Sequence, residues 1–130
     1  MKKLKVLIAD DIDVITEGNK KIVEKNSNIE VIGIANDGNE EYELILKLKP
    51  DIVVTDNQMP KMNGIEVIEK ILNSNSEYKP KFILVTSDTG WDLYERCSKL
   101  EGVVIVNKFS REEMLPYVIN DCVVELLSDE

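Results

Sequence analysis

Residues 51–64 read DIVVTDNQMPKMNG, and this stretch decides the fold. Its first part, residues 51–55, is an apolar run with the length and β-branched content of a buried strand. The run ends on Asp56, and a loop with Pro60 and the turn signal Asn63–Gly64 follows. A carboxylate at the carboxyl end of a strand stands where open α/β sheets carry their chemistry.

Four further strand–helix pairs surround this stretch. The predicted strands cover residues 4–9, 29–35, 51–55, 82–85 and 103–106. The predicted helices cover residues 13–26, from a cap at 36–38 to 49, then 64–72, 91–100 and 111–127. Because the strands are short and continuously apolar, they predict a parallel sheet covered on both faces. Right-handed crossovers make this a doubly wound α/β fold with five strands and five helices.

Besides the cap at residues 36–38, two further helix starts carry predicted caps. Asp13 is predicted to cap the first helix, since its carboxylate can accept hydrogen bonds from the first turn. Ser110, with Glu113 three residues later, has the sequence signature of a capping box for the fifth helix.

Composition and charge exclude several classes of protein. The 130 residues predict one domain over 1–130, and the net charge of −9 argues against nucleic-acid binding through a basic face. No apolar run reaches the ~18 residues of a membrane span and no signal peptide is evident, so we predict a cytoplasmic protein without a membrane partner. The absence of histidine excludes histidine-based nucleophilic triads and histidine-ligated metal sites.

Polar side chains stand at the carboxyl ends of four predicted strands, the first, third, fourth and fifth. They are Asp10, Asp11, Asp56, Thr86, Ser87 and either Asn107 or Lys108. Two carboxylates about 4 Å apart repel by roughly 4 kcal/mol at an effective dielectric near 20, so such a cluster takes up protons or a cation. Oxygen ligands without His or Cys suit Mg²⁺, and Mn²⁺ or Ca²⁺ as substitutes. A hydroxyl and an ammonium beside them suit phosphoryl oxygens, and a carboxylate can itself be the nucleophile that forms an acyl phosphate.

The sequence resembles the receiver domain of two-component response regulators over nearly the whole chain, because three motifs occur in the order that this family shows. The motifs are Asp10-Asp11, then Asp56-x-x-Met59-Pro60-x-Met62-Asn63-Gly64, then Thr86-Ser87. The resemblance implies a flavodoxin-like sheet with strand order 2-1-3-4-5. It also implies a phosphoacceptor switch in signal transduction, with autophosphotransfer and autodephosphorylation activity only, rather than an enzyme with an external substrate.

The resemblance further implies roles for individual residues. Asp56 would take a phosphoryl group from a phosphohistidine on a sensor histidine kinase or a phosphotransfer protein. Asp11, Asp56 and the backbone carbonyl of Gln58 would hold Mg²⁺, and Asp10 would act largely through water. Because the chain contains no histidine, the phosphoryl donor must be another protein.

The switch and its output are also implied by the resemblance. Thr86 would bond the phosphoryl group and shift inward on activation, a lysine after the fifth strand would pair with it, and Ser87 and Asp88 would border the site. The fourth helix, fifth strand and fifth helix would form the surface that meets an output domain or a downstream protein, with dimerisation on activation as a further mode. The sequence is compatible with a single-domain regulator and with part of a longer protein.

The chain departs from the family pattern at the fifth strand. The family usually has Lys-Pro there, often with a cis bond, whereas this chain reads Asn107-Lys108-Phe109. Counting from Thr86 puts Lys108 at the lysine position, while matching the following residues puts Asn107 there; we favour Lys108. We expect a trans Lys108–Phe109 bond because a cis bond before a residue other than proline costs about 3–4 kcal/mol. The usual aromatic switch residue is replaced by Ile105 or Val104.

Two other functions compete with the phosphoacceptor switch. The altered fifth strand is compatible with a pseudo-receiver, an interaction module that no longer needs phosphate. A stand-alone Mg²⁺ phosphatase with an aspartyl nucleophile is disfavoured, because Gln58 stands where that family carries its acid–base aspartate.

Overall fold

The computed structural model describes residues 3–128 of the chain. Its strands are β1 (Leu4–Ala9), β2 (Ile29–Ala35), β3 (Ile52–Asp56), β4 (Lys81–Thr86) and β5 (Val103–Asn107). Over the described residues they form one parallel sheet in the order β2-β1-β3-β4-β5. The predicted fold class and strand order are confirmed.

The helices cover both faces of this sheet. They are α1 (Asp13–Glu24), α2 (Gly38–Leu48), α3 (Gly64–Leu72), α4 (Trp91–Ser98) and α5 (Arg111–Ser128). Side chains alternate along each strand, so Ile52 and Val54 pack with α1 and α5 in one core while Val53 packs with α2, α3 and α4 in the other. None of the helices in residues 3–128 is long and apolar enough to cross a membrane.

Several element boundaries differ from the sequence prediction. Strand β3 includes Asp56 as its last residue, because that residue still pairs with Val85 of β4. Strand β5 likewise includes Asn107, and a 3₁₀ turn over Lys108–Ser110, which was not predicted, joins it to α5. Helices α1 and α4 each end two residues earlier than predicted.

The cap predicted at residues 36–38 is confirmed, because the Asp37 side chain accepts a hydrogen bond from the Glu40 N–H at the start of α2. The other two predicted caps were wrong. Asp13 is the first residue inside α1, and Ile12 occupies the cap position with no side-chain hydrogen bond. Ser110 ends the 3₁₀ turn, which runs directly into α5, so it lies in a helical segment and not in the extended backbone that a cap requires.

Two glycines let helices α2 and α3 begin against the loop that follows β3. A Cβ atom at Gly38 would lie 1.8 Å from the carbonyl oxygen of Met62, and the Gly38 N–H donates to the carbonyl of Pro60 at 3.2 Å. A Cβ atom at Gly64 would lie 2.5 Å from the carbonyl oxygen of Asp56. Any side chain at either position would push the loop away from the end of β3, and Asp56 with it.

Candidate functional site

Three carboxylates meet at the carboxyl ends of β1 and β3. These two strands are neighbours in register Ala9–Thr55, so Asp10 and Asp56 follow paired residues. Carboxylate oxygens of Asp10, Asp11 and Asp56 all lie within 4.8 Å of one another. Asp10 and Asp56 are buried, whereas Asp11 is exposed. The sheet therefore brings together the cluster that the sequence predicted.

This arrangement shifts the pKa of the Asp10 carboxyl. Burial raises the pKa of Asp10 above its ordinary value, the hydrogen bond from the Ile12 N–H (2.9 Å) opposes that shift, and the negative charge of Asp56 adds to it. A cation bound to these oxygens would offset both the cost of burying a charged carboxylate and the repulsion between the carboxylates. The all-oxygen donor set therefore fits a hard divalent cation such as Mg²⁺.

Lys108 supplies a positive charge next to Asp56. Its Nζ lies 3.1 Å from Asp56 Oδ2, and its side chain is only 18% exposed. Asn107 is exposed, and its side-chain oxygen accepts a hydrogen bond from the Phe109 N–H at 2.9 Å. Of the two residues weighed from the sequence, Lys108 is the one beside Asp56. The Lys108–Phe109 bond is trans, as expected.

Thr86 ends β4 on the same edge of the sheet and is 2% exposed. Its Oγ accepts a hydrogen bond from the Asp88 N–H at 3.0 Å. The Asp88 carboxylate in turn accepts from the Gly90 N–H at 2.7 Å, which closes the loop leading into α4. Ser87 is half-buried and Asp88 is exposed, and both directly follow Thr86 in the chain.

Gln58 follows Asp56 in the loop after β3. Its side chain is exposed, and its backbone N–H lies 3.4 Å from Asp56 Oδ1 as a donor. The buried Asn57 accepts a hydrogen bond from the Ile65 N–H at 2.9 Å, which ties this loop to the start of α3. The loop is thereby held close to Asp56.

One buried carboxyl near the site was missed from the sequence. Glu41 on α2 is fully buried and its Oε1 accepts a hydrogen bond from the Thr55 hydroxyl at 2.9 Å, while its Oε2 has no partner among the described residues. Burial raises the pKa of Glu41 to about 8, the Thr55 hydroxyl partly opposes this, and the charge of Asp56 adds to it. The helical spacing Gly38–Glu41–Ile45 was the available signal, since all three lie on the buried face of α2.

A doubly wound parallel sheet that carries three carboxylates and a lysine at the carboxyl ends of its strands defines a receiver-like domain. A profile of the response regulator receiver domain family matches residues 6–120. The chain therefore belongs to the response regulator receiver domain family of two-component systems. Receiver domains are phosphoacceptor switches that bind Mg²⁺ at an acidic pocket and act with sensor kinases.

The most similar curated relatives include two proteins named protein-glutamate methylesterase/protein-glutamine glutaminase. The one from Methanococcus maripaludis is 40% identical over 87 residues, which cover 67% of this chain and 23% of the relative. The one from Bdellovibrio bacteriovorus is 33% identical over 109 residues, covering 82% of this chain and 30% of the relative. This chain thus spans about a quarter to a third of the length of these relatives.

Solved structures show the same fold. The signal receiver domain of NarL from Mycobacterium tuberculosis superposes with a TM-score of 0.82 at 24% identity, covering 94% of this chain and 97% of that one. The response regulator domain of CheB from Thermotoga maritima gives a TM-score of 0.79 at 23% identity, covering 93% and 96%.

Proposed function

We propose that residues 1–130 form one receiver domain in which Asp56 accepts a phosphoryl group from a sensor histidine kinase or a phosphotransfer protein. The observation that carries this proposal is the surroundings of Asp56: it is buried, shares its site with two further carboxylates, and has the Lys108 ammonium at 3.1 Å. A buried aspartate with a cation on one side and acidic oxygens on the other is equipped both to act as a nucleophile and to tolerate the added charge.

In the proposed transfer, a carboxylate oxygen of Asp56 forms the new O–P bond. The P–N bond of the donor phosphohistidine breaks, and the imidazole leaves with its electron pair. Asp11, Asp56 and the Gln58 carbonyl would hold Mg²⁺, with Asp10 acting largely through water. The bound ion would offset the charge of the phosphoryl group.

Lys108 and Thr86 are the residues of this chain that would contact the phosphoryl group. Lys108 already faces Asp56 and would pair with a phosphoryl oxygen after transfer. The Thr86 hydroxyl accepts from Asp88, which leaves its own proton available to donate. Because Asp88 is attached to Thr86 in this way, an inward shift of Thr86 would pull the loop that precedes α4.

That movement would change the surface formed by α4, β5 and α5. Exposed apolar side chains are present there, among them Trp91, Tyr94, Val104 and Tyr117. We propose that this surface meets an output domain or a downstream protein, or a second copy on activation. The methylesterase in the names of the curated relatives is one candidate output.

The metal ligands can be ranked by substitution. Asp11→Ala removes a direct ligand, whereas Asp10→Ala removes a ligand that acts through water and relieves repulsion within the cluster. We expect Mg²⁺ affinity, measured by calorimetry, to fall more for Asp11→Ala than for Asp10→Ala. Equal affinity in the wild type and both variants would contradict the site.

A pseudo-receiver is the second candidate, and the missing aromatic on β5 favours it. Ile105 is half-buried and has no ring that could rotate with Thr86. Titration with beryllofluoride, a phosphoryl mimic, in the presence of Mg²⁺ separates the two functions. A phosphoacceptor switch should show Mg²⁺-dependent changes in the amide shifts of residues 86–91, and a pseudo-receiver should show none.

The same titration tests which residue is the cation of the site. Lys108→Ala should leave Mg²⁺ binding intact or strengthen it, because a competing cation is removed from Asp56. It should also weaken beryllofluoride binding and uncouple the binding that remains from the amide shifts near Thr86. Asn107→Ala is the comparison: it removes only the hydrogen bond to the Phe109 N–H that closes the turn, so it should have a smaller effect than Lys108→Ala. A silent Lys108→Ala with a damaging Asn107→Ala would reject Lys108 and strengthen the pseudo-receiver.

A further inference from the structure

Lys108 reaches Asp56 from a short 3₁₀ turn. It is the first residue of the 3₁₀ turn Lys108–Ser110, one residue past the end of β5, and all peptide bonds of residues 3–128 are trans. A lysine side chain has four rotatable carbons, so its ammonium stays over one carboxylate only if its backbone is held. Phe109 follows Lys108 where the family usually has proline, so other contacts must hold this turn.

Two hydrogen bonds fix the turn. The Asn107 side chain accepts from the Phe109 N–H at 2.9 Å and so bends the chain around Lys108. The Arg111 guanidinium donates through Nη1 to the backbone carbonyl of Lys108 itself at 3.1 Å. The first bond closes the turn locally, whereas the second one comes from the start of α5 and holds Lys108 directly.

The guanidinium of Arg111 is itself held against α1. Its Nη2 lies 4.0 Å from the position that a Cβ atom would take at Gly18, so the group rests on α1 where no side chain intervenes. Its Nε is buried and has no partner among the described residues. Within residues 3–128 the guanidinium forms no ion pair with a carboxylate, and it donates to the Lys108 carbonyl.

We propose that Arg111 is a positioning residue for the phosphoryl site. Held between the backbone of α1 at Gly18 and the carbonyl of Lys108, it keeps the Lys108 ammonium over Asp56. This inference rests on the proposed function, because it assumes that Lys108 pairs with the phosphoryl group. It adds a requirement that the proposed function does not contain, namely that α1 and α5 together set the reach of Lys108.

The test is a double-mutant cycle on beryllofluoride affinity in the presence of Mg²⁺. Arg111→Met keeps the bulk of the side chain and removes the donor to Lys108. We expect it to weaken beryllofluoride binding by about three- to tenfold, the effect of losing one hydrogen bond. In the Lys108→Ala background the same change should have no further effect, because the positioned group is already absent. A general loss of structure would weaken binding in both backgrounds.

A second pair of variants leaves Arg111 in place. The Cβ of Gly18→Ala would sit at an ordinary contact distance of 4.0 Å from Nη2, so this variant should bind beryllofluoride as the wild type does. Gly18→Leu extends further into the guanidinium and should reproduce the loss seen with Arg111→Met. Both replacements are better helix formers than glycine, so a loss of helix propensity in α1 cannot account for the difference.

A readout without beryllofluoride completes the test. Lys108 competes with a divalent cation for Asp56, so a lysine that is less well held should compete less. Where Lys108→Ala raises the affinity for Mg²⁺ alone, we therefore expect Arg111→Met to raise it as well. Arg111→Met should again have no added effect when Lys108 is absent.

The outcomes distinguish this inference from the proposed function. If Lys108→Ala weakens beryllofluoride binding and Arg111→Met does not, the positioning role is overturned while the phosphoryl site stands. Equal losses from Arg111→Met in both backgrounds also overturn it. If Lys108→Ala binds beryllofluoride as the wild type does, the lysine of the proposed site is wrong and the positioning role falls with it.

Discussion

Asp56→Asn is expected to reduce labelling of the protein by acetyl phosphate or by a phosphorylated kinase to background. The carboxylate is the proposed nucleophile, and an amide at the end of β3 has nearly the same shape without its charge. The Lys108 ammonium, now 3.1 Å from Asp56 Oδ2, would lose the charge that it pairs with. The measurement is the incorporated phosphoryl group per chain, read by mass or by radiolabel.

The control for this change is Asp37→Asn. Asp37 caps α2 by accepting from the Glu40 N–H at 2.8 Å, and asparagine caps a helix about as well. This variant should label as the wild type does, which separates the loss of a nucleophile from a general effect of replacing an aspartate. Stable label that persists in Asp56→Asn would identify another acceptor and refute the assignment.

Glu41→Gln is expected to make the protein more stable above neutral pH. In the folded state burial raises the pKa of Glu41 to about 8, against an ordinary value of 4.5. Between these two values the folded state holds a proton that the unfolded state has released, so stability falls as pH rises. The stability associated with this proton is fully present below about pH 4.5 and is lost as the pH approaches about 8. Glutamine resembles the protonated form at every pH.

The expected size follows from the linkage between protonation and folding. Each pH unit of difference corresponds to about 1.4 kcal/mol, so Glu41→Gln should gain roughly 3 kcal/mol over the wild type between pH 5 and pH 8. Urea unfolding at the two pH values measures this difference. Glu43→Gln is the matched control, because Glu43 is exposed on the same helix and should leave the pH dependence unchanged. An unchanged slope in Glu41→Gln would mean that the titrating group lies elsewhere.

The sequence by itself determined the fold. Apolar runs of strand length, alternating with segments of helical periodicity, are local signals, and they gave the strands of the sheet to within one residue at each end. The three carboxylates could also be placed together from the sequence, because the carboxyl ends of parallel strands share one edge. The glycines at positions 38 and 64 could be recognised as turn and cap residues, although the close approach that requires them could not be foreseen.

Only the tertiary structure decided which groups face one another at the site. Lys108 and Asn107 are adjacent in the chain, at the start of a 3₁₀ turn that has no clear local signal. The Lys108 side chain donates to Asp56, 52 residues away, whereas the Asn107 side chain accepts from the Phe109 N–H. Glu41 lies among other acidic residues that are exposed, and it is buried because its face of α2 packs against the sheet, where the Thr55 hydroxyl donates to it. The contact of the Arg111 guanidinium with α1 at Gly18 likewise depends on how α5 lies against α1. A side chain's partner and its burial are set by contacts between distant segments, so local patterns determine the elements while packing determines the chemistry of the site.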